Sequence, residues 1–185
     1  MTVTDTATII AQTKKWIIDV VVGCGFCPFA AKEIKKDSIH YEVLQQADKA
    51  AALKAMMLML QQLDANDKIE TALLIMPEGF KSFDIYLQLI DMADTLLAKE
   101  KYEGIYQIAS FHPRYLFAES DENDAANYTN RSPYPMLHFL REESVSKAVD
   151  GYPDIDEVPN RNVRFANEKG RDYMEKLLAM SMNIS

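Results

Sequence analysis

Apolar positions near the start of the chain recur with helical spacing. Ile9, Ile10, Trp16, Ile17, Val20 and Val21 fall mostly on one stripe, which predicts a helix from about Asp5 that stops at Gly23. From Ser38 to Leu44 the period changes to two, with Ile39, Tyr41 and Val43 on one side and His40 and Glu42 on the other: a half-buried strand. Ala47 to Leu63 is built from Ala, Leu, Met and Gln, all good helix formers. Thr71 to Met76 is a continuous apolar run closed by Pro77, as expected of a strand covered on both faces. Ser82 is placed to cap a helix through Leu97 that buries Phe83, Tyr86, Leu87, Ile90 and Leu97. Gly104 then introduces a strand from Ile105 to Phe111. Strand, helix, strand, helix, strand predicts a parallel α/β unit. The expected architecture is one α/β domain over residues 1–185, with a three- or four-stranded, mainly parallel sheet flanked by helices.

The pattern changes at Phe111. Residues 111–135 show little periodicity and contain Pro113, Pro133, Pro135 and a polar tract from Glu119 to Ser132. Loops longer than about 12–15 residues inside a compact domain are functional or disordered. Phe111, Tyr115, Phe117, Tyr128 and Tyr134 make this one too aromatic for a solvated linker. It opens at the carboxyl end of a strand, where ligands sit in open parallel sheets. Met136 to Leu140 reads as a short strand carrying His138, Glu142 to Val149 as a helix, and about 162–180 as a last helix after an acidic, Pro-containing turn.

Composition narrows the functional classes. The chain of 185 residues has 28 acidic and 20 basic side chains and a net charge of −8. That balance argues against a nucleic-acid or anionic-membrane surface. No Gly-rich phosphate loop appears, so neither a dinucleotide nor a nucleoside triphosphate is supported and the cofactor stays unassigned. The start of the chain lacks a secretory pattern, and no apolar run is long enough to span a bilayer, so a cytoplasmic protein is expected. The Asn-x-Ser/Thr matches at Asn127, Asn130 and Asn183 are set aside for that reason. The Met56, Met57 and Met59 helix reads as core packing in preference to an adaptable groove. Oligomeric state is not legible.

Three strings carry a resemblance. They are Gly23-Cys24-Gly25-Phe26-Cys27-Pro28-Phe29-Ala30, Ser110-Phe111-His112-Pro113-Arg114-Tyr115, and Asn127-Tyr128-Thr129-Asn130-Arg131-Ser132-Pro133-Tyr134-Pro135 with Leu137-His138-Phe139-Leu140-Arg141-Glu142. Together they resemble a bacterial family catalogued as domain of unknown function 1415, over nearly the whole chain. The resemblance implies no activity. It marks Cys27, Pro28, His112, Pro113, Asn127, Thr129, Asn130, Arg131, Ser132, Tyr134, His138 and Arg141. The family turn reads Gly-Leu-Asn-Leu-Cys-Pro-Phe-Ala, so Cys24 has no cysteine counterpart there.

The marked residue types permit several chemistries. Cys24-x-x-Cys27 has redox spacing, but it follows a helix and not a strand. Cys24, Cys27, His112 and His138 are the ligand types of tetrahedral zinc, without the close His-His spacing of the common sites. Cys27 with His112 or His138 has the composition of a nucleophile and base, against which Cys27 is equally a small buried hydrophobe and His138 a core histidine. His112, fixed by Pro113 at a strand end, is preferred as base. Arg114, Arg131 and Arg141 hold carboxylate or phosphate bidentately, and Asn127, Thr129, Asn130, Ser132 and Tyr134 add neutral polar groups. A small anionic ligand follows. The same arginines equally suit pairing with Glu119, Asp121 or Glu142 to staple the loop. Four readings stay open: an enzyme on a small anionic substrate, a non-catalytic anion- or partner-binding module, a Cys/His metal-binding protein, and an ordered structural plug or partner-docking surface.

Overall fold

The computed structural model describes residues 4–184; residues 1–3 and 185, the ends of the expected domain, lie outside them. Helix α1 (Thr6–Trp16) starts at Asp5, whose carboxylate accepts from the Thr8 amide at 3.0 Å and so satisfies one of the leading N–H groups. The segment Ile17–Val22, β-branched except for Asp19, continues it as a π-helical turn, closed by the Gly23 amide donating to Ile18 O at 2.9 Å. A Cβ at Gly23 would lie 2.2 Å from Asp19 O, so only glycine closes this wider turn. There follow α2 (Ala30–Lys35), β1 (Ile39–Val43), α3 (Lys49–Ala65), β2 (Thr71–Ile75), α4 (Phe83–Lys99), β3 (Tyr106–Phe111), β4 (Met136–Arg141), α5 (Glu142–Asp150), α6 (Val158–Lys169) and α7 (Arg171–Ser181). A 3₁₀ turn at Ala125–Thr129 lies between β3 and β4.

The sheet order is β1-β2-β4-β3. β1 and β2 are parallel, whereas β4 runs antiparallel to both β2 and β3. The expected mainly parallel sheet is therefore corrected to a mixed one with one parallel pair. β1, β2 and β3 do share a direction, as the alternation of strands and helices implies. The difference is β4, which returns from the long excursion and inserts between β2 and β3. The expected helix over 162–180 is likewise two helices, because Gly170 adopts φ +79° between α6 and α7.

Two cores cover the sheet. Ala72 and Leu74 of β2 with Leu137 and Phe139 of β4 face α3 and α4, where Met56, Leu60, Leu63, Leu89 and Ala93 are buried. Leu73 and Ile75 with Met136 face the opposite side, against Ile9, Trp16, Ile17, Val20, Ala166 and Met174. This two-sided cover explains the unbroken apolar run of β2, all five of whose residues are buried. On α4 the buried stripe is Tyr86, Leu89, Ala93 and Leu97, while Leu87, expected inside, is exposed. Among the described residues no helix is long and apolar enough to cross a membrane.

One contact from α4 locks the strand ends that carry the excursion. The fully buried Tyr86 hydroxyl donates to Met136 O at 2.8 Å and accepts from the Phe111 amide at 3.1 Å. Phe111 and Met136 are register partners, the last residue of β3 and the first of β4. Tyr86→Phe removes both of these bonds from the last rung of the β3–β4 pairing, so unfolding free energy falls by about 1–3 kcal/mol in denaturant titration. An unchanged midpoint would contradict this role.

Candidate functional site

The excursion from His112 to Pro135 is held by its own polar side chains. Asn127 is fully buried; its Oδ1 accepts from the Phe117 amide at 3.0 Å and its Nδ2 donates to Asp121 O at 2.8 Å. Asp124 caps the 3₁₀ turn through the Ala126 amide at 2.8 Å, and Thr129 Oγ1 donates to Ala126 O at 2.9 Å. Asn130 Nδ2 donates to Ser110 O at 3.5 Å. Ser132 Oγ, also fully buried, donates to Tyr134 O at 2.6 Å, and the Tyr134 hydroxyl donates to Gln12 of α1. Trp16 Nε1 reaches across to Arg131 O at 3.1 Å. Buried loop backbone requires such partners, so the expected neutral ligand donors are turned inward, onto the loop itself.

His112 sits where the excursion leaves β3, 1 % exposed and packed between the rings of Phe83 and Tyr86. Its Nε2–H donates to Phe80 O at 2.8 Å, and its Nδ1 accepts from the Arg114 amide at 2.9 Å. Those two partners fix the neutral tautomer with the proton on Nε2. Burial lowers its affinity for a second proton, with nearby Arg114 acting the same way, while the Phe80 carbonyl opposes both. With both ring nitrogens engaged, no lone pair is left free to act as a base.

The residues that follow His112, Pro113 and Arg114, line a cleft of about 420 Å³ at the carboxyl ends of β2 and β3. The first turn of α4 (Ser82, Phe83, Asp84), Pro113, Arg114 and Leu116, the loop residues Glu122, Asn123 and Arg131, and Arg171 of α7 line it. Ser82 stands at the N-cap with extended backbone but makes no side-chain cap. The leading N–H groups of this 17-residue helix therefore lack a side-chain acceptor. Arg131 is aimed by backbone carbonyls: Nε donates to Tyr115 O at 3.2 Å, Nη2 to Glu122 O at 3.1 Å, and its guanidinium lies 4.5 Å from the Tyr128 ring centroid. Arg171 donates to Asn123 Oδ1 and approaches Glu175 at 3.8 Å. Neither Arg114 nor Arg131 pairs with a carboxylate among the described residues.

Of the three arginines read from the sequence, Arg114 and Arg131 meet here and Arg141 does not. Arg141 Nη2 donates to Leu63 O at 2.6 Å and Ile69 O at 3.1 Å, and Nη1 to Tyr106 OH at 3.1 Å. It closes the carboxyl end of α3, where a cation complements the helix dipole. Arg171 was not among the expected residues; on an amphipathic helix rich in charge nothing marks it.

The cysteines and His138 lie elsewhere. Cys24 packs with the α1-side core beside Phe26, and Asn162 of α6 holds the same turn by donating to Phe26 O at 2.8 Å. Cys24 and Cys27 are both free thiols. Burial raises the Cys24 thiol above its ordinary value, against a smaller pull from Lys169. No hydrogen bond joins Cys27 to either histidine among the described residues, and no three His, Cys, Asp or Glu side chains there converge as a metal site. His138, between β2 and β3 on the α1 side, donates from Nε2 to Thr71 Oγ1 at 2.6 Å while the Thr71 hydroxyl donates to Phe139 O at 2.6 Å. Desolvation pushes its imidazole down to about 4.

The molecule is thus a mixed α/β domain with an arginine-lined cleft at the carboxyl ends of two strands. Residues 8–176 match the family described as Protein of unknown function (DUF1415), and the chain belongs to that family. No curated protein and no solved structure matches it.

The depressed imidazoles make stability pH-dependent. His112 and His138 are neutral when folded and regain an ordinary affinity for protons, near pH 6.5, when unfolded. The unfolded chain then binds more protons below that value, so the contribution is complete above about pH 6.5 and is lost as pH falls toward about 4 for His138. Denaturant titrations are expected to show a loss on the order of 2–3 kcal/mol across that window, reduced in His138→Gln. Equal pH slopes in the two proteins would contradict the assignment.

Proposed function

We propose that the cleft binds a small anionic ligand through Arg114, Arg131, Arg171 and the first turn of α4. One observation carries this: three cations from three separate segments converge on the uncapped amino end of a long helix. A helix presents roughly half a positive charge at that end. The arginines therefore add to the dipole instead of offsetting it, and an anion relieves both at once. Asp84 and Glu122 also line the cleft, so its net charge favours a compact ligand seated against the guanidinium groups over an extended polyanion. Phosphate, sulfate and carboxylate all match the bidentate geometry of arginine.

This reading is of a binding module. It assigns no nucleophile, because Cys27 belongs to a turn held against α6 and the nitrogens of His112 are both engaged. A cytoplasmic setting fits the two free thiols, which stay reduced there.

The test is a thermal-shift and calorimetric screen of sulfate, phosphate and small carboxylates. A specific anion at about 100 times its Kd is expected to add about 2.7 kcal/mol of stability. Arg114→Ala and Arg171→Ala, whose side chains hold no core contact, are each expected to weaken binding about tenfold without lowering the ligand-free Tm. An absence of any stabilising anion, or undiminished binding in the double variant, defeats the proposal.

A further inference from the structure

Three walls of the cleft come from separate stretches of chain, and one residue, His112, bonds to the backbone of all three, two through its imidazole and one through its own amide. The His112 imidazole donates to Phe80 O, two residues before Ser82, and accepts from the amide of Arg114. Its own amide donates to Asn130 O at 3.3 Å, one residue before Arg131. The loop it grips from α4 is itself constrained. Phe80 is a non-glycine residue at φ +55°, buried in the core against α3 and α4. Gly79 passes so close to Ala47 that a Cβ there would lie 2.6 Å from the Ala47 carbonyl oxygen. A left-handed conformation at a bulky residue is unfavourable and persists only where surroundings enforce it. The bond from His112 to the Phe80 carbonyl is one such enforcement, and it sets the direction in which the chain enters α4.

We propose that His112 is the positioning residue of the anion cleft, its imidazole coupling the entry of α4 to the Arg114 amide while its main-chain N–H ties in the Arg131 segment. This rests on the anion-binding reading of the cleft. The imidazole stays behind the cleft wall, between Phe83 and Tyr86, and acts on a ligand only through the groups it aims. Its two side-chain bonds are separable. In His112→Gln the amide nitrogen stands near the place of Nε2 and keeps a donor toward Phe80, but the acceptor for the Arg114 amide is lost. In His112→Asn the side-chain oxygen replaces Nδ1 as acceptor from the amide two residues on, and the Phe80 bond is lost.

Sulfate is the probe, since it stays a dianion throughout the pH range of folding, and Met56→Ala supplies a core-destabilised control on α3, none of whose residues lines the cleft. Calorimetry well below each Tm is expected to give about five- to tenfold weaker sulfate binding for both His112 variants and wild-type affinity for Met56→Ala. In ligand-free ¹H–¹⁵N spectra, His112→Gln is expected to shift the amides of Phe83 and Asp84 as well as that of Arg114. Sulfate bound equally by wild type and both His112 variants, or lost equally in Met56→Ala, overturns the positioning role alone. Failure of wild type to bind sulfate or any other small anion overturns the cleft reading, and the positioning role with it.

Discussion

The insertion of β4 between β2 and β3 is the constraint on which the rest depends. The chain leaves the sheet at Phe111 and must return at Met136, directly opposite. Everything between must fold over one end of the sheet, with its buried backbone satisfied from within. That requirement assigns the polar residues of the excursion. Asn127, Asp124, Thr129 and Ser132 serve its own carbonyls and amides, and Tyr134 ties it to α1. Arg131, which also donates to the Tyr115 and Glu122 carbonyls, and Arg114 line the cleft at the start of α4.

Helix polarity then separates arginines that look alike. Arg141 meets the carboxyl end of α3, where carbonyls and dipole both favour a cation, and the interaction is complete within the protein. Arg114, Arg131 and Arg171 meet the amino end of α4, where the dipole has their own sign. Carbonyl partners orient Arg131 without neutralising it, in a way that carboxylate partners would not. In a protein with a net charge of −8, three arginines thereby gather in one cleft beside Asp84 and Glu122.

Much of this was legible in the sequence. A period-two alternation located β1, a continuous apolar run β2, short runs introduced by Gly104 and Pro135 β3 and β4, and period-3.6 patterns the helices between them, to within about two residues, because burial sets those patterns. The direction of β4 was not legible: an apolar run reads the same either way, and only the distant partner strand decides it. Neither was the break at Gly170, since a single glycine within a helical pattern is compatible with continuation. For the cleft, Arg114 and Arg131 stood out in a sparse aromatic loop, but Arg171 had no local signal. Asn127, Thr129, Asn130 and Ser132 carry the same hydrogen-bonding groups whether they serve a ligand or their own backbone. Here those groups are spent on the backbone.

The central claim is that an anion seats against the first turn of α4 with the arginines around it. Titrating sulfate into ¹⁵N-labelled protein tests this most directly. Saturable, fast-exchange shifts concentrated at the amides of Phe83 and Asp84 and at the side chains of Arg114, Arg131 and Arg171 are predicted. Shifts spread evenly over surface lysines, or centred on Arg141 and the end of α3, would contradict it.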